Sequence, residues 1–218
     1  MKKTTLEFLM LLIVALVSLT ACSESEDEEE EFANWQEKNE TYFTNIYNTA
    51  KANIAAGDTS WKIIRKWSLN ESTATNNYDH IVVHVLTEGT GSGCPLFTDT
   101  VKISYAGRLI PSKTYTDGYV FDKTYYGSYS DATTSQLTLG VNGTDTYKTS
   151  SGTTSKTTAS TIDGMTMALM EMHIGDRWEV YIPYQLGYGT SASSSIPAYS
   201  TLIFDMTLFS YWHAGAKQ

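Results

Sequence analysis

Apolar residues recur at Phe32, Trp35, Tyr42, Phe43, Ile46, Tyr47, Ala50 and Ile54. This three-to-four spacing predicts an amphipathic helix over 32–56, closed near Gly57. Such a helix either covers one side of the following domain or pairs with a second copy. Trp61 to Trp67 (WKIIRKW) reads as a strand, and Asn70 to Tyr78 as a polar link. Beyond Tyr78 the texture becomes that of strands, and Val101 to Leu109 alternates. Ile81 to Leu86, Val101 to Leu109, Tyr119 to Asp122, Gln136 to Gly140, Trp178 to Ile182 and Thr201 to Tyr211 are predicted strands, with a turn over 88–93. One helical stretch interrupts them: Ile162, Met165, Leu169 and Met172 share a face, Asp163 is placed to cap or charge its start, and Gly175 follows its end. His173 is expected in the last turn, where positive charge is favourable. Residues 142–161 are rich in Ser, Thr and Gly and nearly free of apolar residues, which predicts an inserted surface loop. A short helix on a bent antiparallel sheet is an α+β fold, here preceded by an N-terminal amphipathic helix.

Charge narrows the functions open to this fold. The 218 residues carry a formal charge of -9. Seven acids fall in the tract 24–31, so the remainder has no basic face and nucleic-acid binding is not expected. His80 and His84 lie four apart on a strand, not on a helical face, and no metal site is expected. There is no G-x-S-x-G and no phosphate-cradling glycine loop. Cys94, before Pro95 and without a basic neighbour in sequence, reads as a small buried residue.

The start of the chain is an address. Met1-Lys2-Lys3 precedes an apolar run, Phe8 to Leu19, and small residues before Cys22. That pattern describes a secretory signal over 1–21, too short for a membrane span of ~20 apolar residues. Leu19-Thr20-Ala21-Cys22 resembles the lipobox of bacterial lipoproteins, which implies cleavage before Cys22 and lipid on its sulfur. Without Lys2, Lys3 and Glu7 the formal charge becomes -10, from 13 basic and 23 acidic residues. Residues 22–31 form an acidic, unfolded tether. This tract is either a plain spacer or an export tag of the kind found in Bacteroidetes lipoproteins. The expected location is the cell envelope, lipid-anchored to the outer membrane on its periplasmic or surface face. With Cys22 acylated, Cys94 has no disulfide partner, so stability rests on an ordinary core, to which fifteen tyrosines and five tryptophans contribute.

Six short motifs follow one another after the N-terminal extension (32–78). They are Glu88-Gly89-Thr90-Gly91; Asp99 through Val101, Ile103, Tyr105 and Gly107; Gly118 through Phe121-Asp122; Ile162-Asp163-Gly164-Met165 with Met172 to Gly175; Ile182-Pro183 through Leu186-Gly187-Tyr188-Gly189; and Ile196-Pro197 through Leu202, Phe204 and Asp205. In this order, across 79–211, the chain resembles the FKBP family of peptidyl-prolyl isomerases. The resemblance implies an apolar pocket in which Tyr105, Phe121, Asp122 and Tyr188 act on the substrate and Ile162, Met165, Ile196 and Phe204 line it. The implied substrates are proline-containing exported polypeptides, and no cofactor is called for. Two departures stand out. Met165 occupies the floor position where many relatives have Trp, and the family's F-x-F before L-G is Ser135-Gln136-Leu137-Thr138-Leu139-Gly140. The wall then lacks an aromatic unless Tyr125, Tyr126 or Tyr129 supplies one. The alternative function is a non-catalytic binding or assembly module on the same fold.

Overall fold

The computed structural model describes residues 31–129, 135–148, 154–158 and 161–213. The expected signal, the expected lipidation site Cys22 and most of the expected tether lie outside these residues. Helix α1 (Trp35–Ala55) is followed by β1 (Trp61–Arg65), β2 (His80–Thr87), β3 (Thr100–Leu109), β4 (Val120–Lys123) and β5 (Leu137–Gly140). Then come β6 (Thr144–Lys148), β7 (Thr154–Thr158), α2 (Asp163–Leu169), β8 (Arg177–Ile182) and β9 (Leu202–Trp212). Seven strands form one sheet in the order β1-β2-β8-β9-β3-β4, with β5 also paired to β3. Every pairing is antiparallel.

Alternation along the central strands decides which residues meet where. On β9 Leu202, Phe204 and Met206 point to one face, and Ile203, Asp205 and Thr207 to the other. Register carries the first set across the sheet: Gly107 opposes Phe204, which opposes Val180. Helix α2 lies on this face. A Cβ at Gly164 would collide with Ile182 of β8, so only glycine lets the helix approach so closely. Thr166 Oγ1 donates to the Val141 carbonyl at 2.8 Å and fixes the helix from its other side.

Two local expectations are corrected and one is narrowed. Asp163 charges the first turn of α2, one of its two expected roles, but does not cap it. Ile162 is the N-cap, no side chain bonds the first turn, and Asp163 pairs with Lys66 Nζ at 2.8 Å. Helix α2 ends at Leu169, so His173 lies beyond it, in a turn where its backbone N–H donates to Asp176 Oδ2 at 2.7 Å. Part of the polar insertion is ordered as a two-stranded ribbon, with β6 pairing β7 from Thr144 opposite Thr158 to Lys148 opposite Thr154. Threonine is β-branched and favours extended backbone, a propensity that polarity alone hides.

Candidate active site

The site begins at a glycine. Gly107 of β3 lies in register between Asp122 of β4 and Phe204 of β9. A Cβ there would stand 2.6 Å from Phe121 Cζ and 2.8 Å from Phe204 Cε1. The missing side chain is the space into which both rings fold. The β3–β4 ladder shifts register between Gly107 and Arg108, leaving Phe121 as the extra residue of a bulge. Adjacent residues on a regular strand point to opposite faces, and a bulge re-aims one of them. That re-aiming lets Phe121 and Asp122, neighbours in sequence, serve the same site.

The rings meet edge to face. Tyr105 and Phe204 have centroids 5.7 Å apart at 65°, and Phe121 and Phe204 are 5.6 Å apart at 81°. The Tyr105 hydroxyl donates to Asp122 Oδ2 at 2.5 Å, which fixes the phenol and the carboxylate together. Burial first, then this bond to Asp122, pushes the Tyr105 phenol far above its ordinary range. Ile162, Met165, Ile196 and Phe204 are buried in one contiguous apolar cluster, with Tyr105 and Phe121 packed against it. Tyr188 is 41% exposed, with no side-chain hydrogen bond to another described residue. Burial, with a lesser effect of the Asp122 charge, also raises its phenol, so both tyrosines keep their proton at neutral pH.

Tyr188 is carried by the β8–β9 connection, 183–201. A single 3-10 turn (Tyr184–Leu186) is closed when Gly189 N–H bonds the Tyr184 carbonyl at 2.8 Å. Further along, Ser193 and Ile196 exchange two backbone bonds of 2.9 Å, which hold Ile196 inward. The structure thus brings together Tyr105, Phe121, Asp122 and Phe204 by direct contact, and joins the remaining expected residues through the core and this connection.

The departures in the wall persist. Tyr129 lies on the other face of the sheet: its hydroxyl is 2.9 Å from Thr207 Oγ1 and Arg177 stacks 3.4 Å over its ring. Tyr125 is buried near Asp205 and Arg177, and Tyr126 is 89% exposed. None of the three replaces the missing aromatic. Cys94 also differs from expectation: it is half-buried, and its Sγ lies 3.7 Å from His173 Nε2. The two are far apart in sequence and meet only through the fold. Burial, Glu171 and Asp176 push its thiol up, so it stays protonated. A separate cleft of about 470 Å³ runs between α1 and the start of the β8–β9 connection, lined by Phe43, Tyr78, Pro183 and Tyr184, and shares no residue with the aromatic set.

The chain belongs to the FKBP-type peptidyl-prolyl cis-trans isomerase family, whose model matches residues 95–209. It is similar to the FKBP-type 22 kDa peptidyl-prolyl cis-trans isomerase of Escherichia coli K12, 34% identical over 57% of this chain and 46% of the relative. It is similar also to the macrophage infectivity potentiator of Trypanosoma cruzi, 32% identical over 62% of this chain and 55% of that one. The chain therefore spans about half the length of these curated relatives. Among solved structures, FkpA from Escherichia coli superimposes with a TM-score of 0.50 at 22% identity, covering 96% of this chain and 72% of that one, a likeness of fold.

Proposed function

We propose that this protein is a peptidyl-prolyl isomerase acting on proline-containing exported polypeptides. The observation that carries the reading is the aromatic set around Gly107, with one buried phenol locked to Asp122 and a second, Tyr188, whose hydroxyl is untied. An X–Pro bond interconverts over tens to hundreds of seconds because amide resonance opposes rotation by ~18–20 kcal/mol. No covalent step is needed. In the twisted amide resonance is lost and the group is less polar, so an apolar wall of Phe121, Phe204, Ile162, Met165 and Ile196 favours it over the planar form. Tyr188 donates to the substrate carbonyl and holds the stationary end while the prolyl end turns. Asp122, held by Tyr105, orients the edge. Only contacts stronger in the twisted state accelerate the reaction, about tenfold for each ~1.4 kcal/mol.

The reading includes export. Residues 1–21 are removed as a signal, Cys22 carries lipid, and residues 22–31 tether the domain 79–211 and its extension 32–78 to the outer membrane. Isomerisation consumes no ATP, which suits an envelope enzyme. A second reading, a binding module without catalysis, is favoured by the aromatic missing from the wall at 135–140.

A proline-peptide isomerisation assay separates the two. The expected result is acceleration over the uncatalysed rate, cut about tenfold by Tyr188→Phe with unchanged folding. A folded parent without acceleration sinks the enzyme reading. Mass spectrometry of the envelope-bound protein, beside Cys22→Ser, tests the anchor: an unmodified Cys22 at the end of an intact leader sinks it.

A further inference from the structure

We infer that helix α1 is a brace that positions the two connections framing the aromatic site, with Trp35 and Asn39 as positioning residues; its kinetic consequence rests on the isomerase reading. A helix that merely covers a sheet requires apolar contacts alone. Here the buried face runs Trp35, Asn39, Phe43 and Ala50, with an amide in the middle of the stripe. Asn39 is fully buried, and each end of its amide is used. Its Nδ2 donates to the Trp35 carbonyl at 2.7 Å, while its Oδ1 accepts the Thr201 backbone N–H at 2.7 Å. Trp35 Nε1 donates to Ser200 Oγ at 2.8 Å, and that hydroxyl donates to the Pro197 carbonyl at 2.7 Å. Tyr184 bonds Glu40 at the other end of the same connection, at 3.2 Å.

These bonds converge on one place. Ser200 and Thr201 are the last residues of the β8–β9 connection, between Ile196 and Phe204. Just before them Tyr199 has φ 63, and Ser194 has φ 53, in the left-handed region that side chains with a Cβ rarely adopt. Such backbone persists only where its surroundings over-determine it, and the helix supplies two of the fixed points. A third contact reaches the other connection. Glu31, just ahead of α1, accepts from the Thr114 N–H at 3.0 Å and from its hydroxyl at 2.6 Å. Residues 110–119 lead directly to Phe121 and Asp122. Helix α1 and the residue just ahead of it therefore hold the ends of both segments that carry the site. Polar bonds suit this task because they hold direction, whereas apolar contacts tolerate sliding.

Hydrogen exchange of peptides spanning 184–200, without substrate, tests the brace in the full chain beside kcat and KM. Asn39→Leu keeps the volume and removes both bonds. Exchange of this segment is expected to rise about tenfold and kcat to fall about tenfold, with KM moving by less than about twofold. Trp35→Phe keeps a ring and deletes one donor, so the same shifts are expected at about threefold, and it stands in if Asn39→Leu fails to fold. Ile103→Val, a core change of β3 outside the site, is the control that lowers melting temperature without altering segment exchange or kcat. Unaltered exchange in both helix variants overturns the brace, as does faster exchange with unaltered kcat. Faster exchange in a protein whose parent shows no isomerase activity supports the brace and overturns the isomerase reading instead.

Discussion

The two faces of the central strands are built from alternate residues of the same segments, yet they are different materials. Phe204 and Met206 look toward α2 and the aromatic set, while Asp205 and Thr207 look the other way, toward Arg177 and Tyr129. At the aromatic set Asp122 is held at the exposed rim by Tyr105, and further along the same face Lys62 Nζ lies 5.8 Å over the Trp178 ring. On the polar face Arg108 pairs with Glu179 at 2.5 Å, Tyr181 donates to the same Glu179, and Arg177 grips Asp205 with two nitrogens. The polar face stabilises through partnered charges that water still reaches. Around the aromatic set the other face is built of rings and aliphatic side chains, the surroundings that the proposed twisted-amide mechanism calls for. One strand can serve both because its side-chain period is two.

The comparison breaks most severely at Phe204. Phe204→Ala removes a ring that Tyr105, Phe121 and Gly107 all touch, and should cost about 3–5 kcal/mol in denaturant unfolding, with isomerase activity lost. Retained activity would place the site elsewhere. Gly107→Ala probes the same space by filling it. It should cost about 1–3 kcal/mol, because β3 backbone or two rings must move, and activity should fall further than stability alone explains. On the polar face Arg177→Met should cost only roughly 1 kcal/mol, shrink in high salt and leave turnover intact. A large loss of turnover there would mean the faces are not independent.

Two pH experiments sharpen the contrast more gently. Turnover should be flat between about pH 6 and 9, because Tyr105 and Tyr188 both have raised phenols and keep their protons. An activity limb in that range would point to another group. Glu31 behaves oppositely. Bonds from Ser112, first, and Thr114 hold its carboxyl below the ordinary value of 4.5. Its folded form therefore gains stability above 4.5 and loses it as pH falls through the depressed value. The protection of residues 110–119, with exchange rates corrected for the intrinsic effect of pH, should fall in acid, and Glu31→Gln should flatten that response.

Much of this organisation was legible along the chain. Apolar runs and, in β3, alternation marked β2, β3, β8 and β9 to within a residue or two; Ile81, Val82 and Val83 of β2 are all buried, so a continuous β-branched run rather than alternation gave that strand away. The motif around Gly107 and Phe121-Asp122 also pointed to a pocket. Asn39 carried a signal that periodicity could have caught: it falls four residues after Trp35 and four before Phe43, on the buried stripe. A search for apolar residues passes over it. Polarity likewise disguised β6 and β7, since a ribbon needs backbone pairing rather than a core.

By itself, then, the sequence determined the elements that carry an apolar face, their order and the chemistry offered on each strand face, since these depend on neighbours two to four residues apart. The tertiary structure alone decided three things. It made Phe121 a bulge residue so that it and Asp122 share a site. It sent Tyr129 to Arg177 and Thr207 on the far face, leaving the wall short of an aromatic. It also joined Trp35 to Ser200 across 165 residues, turning an amphipathic helix into a brace. Each depends on strand register or on partners distant in the chain, and a hydrogen bond between remote residues leaves no periodic trace in the order of amino acids.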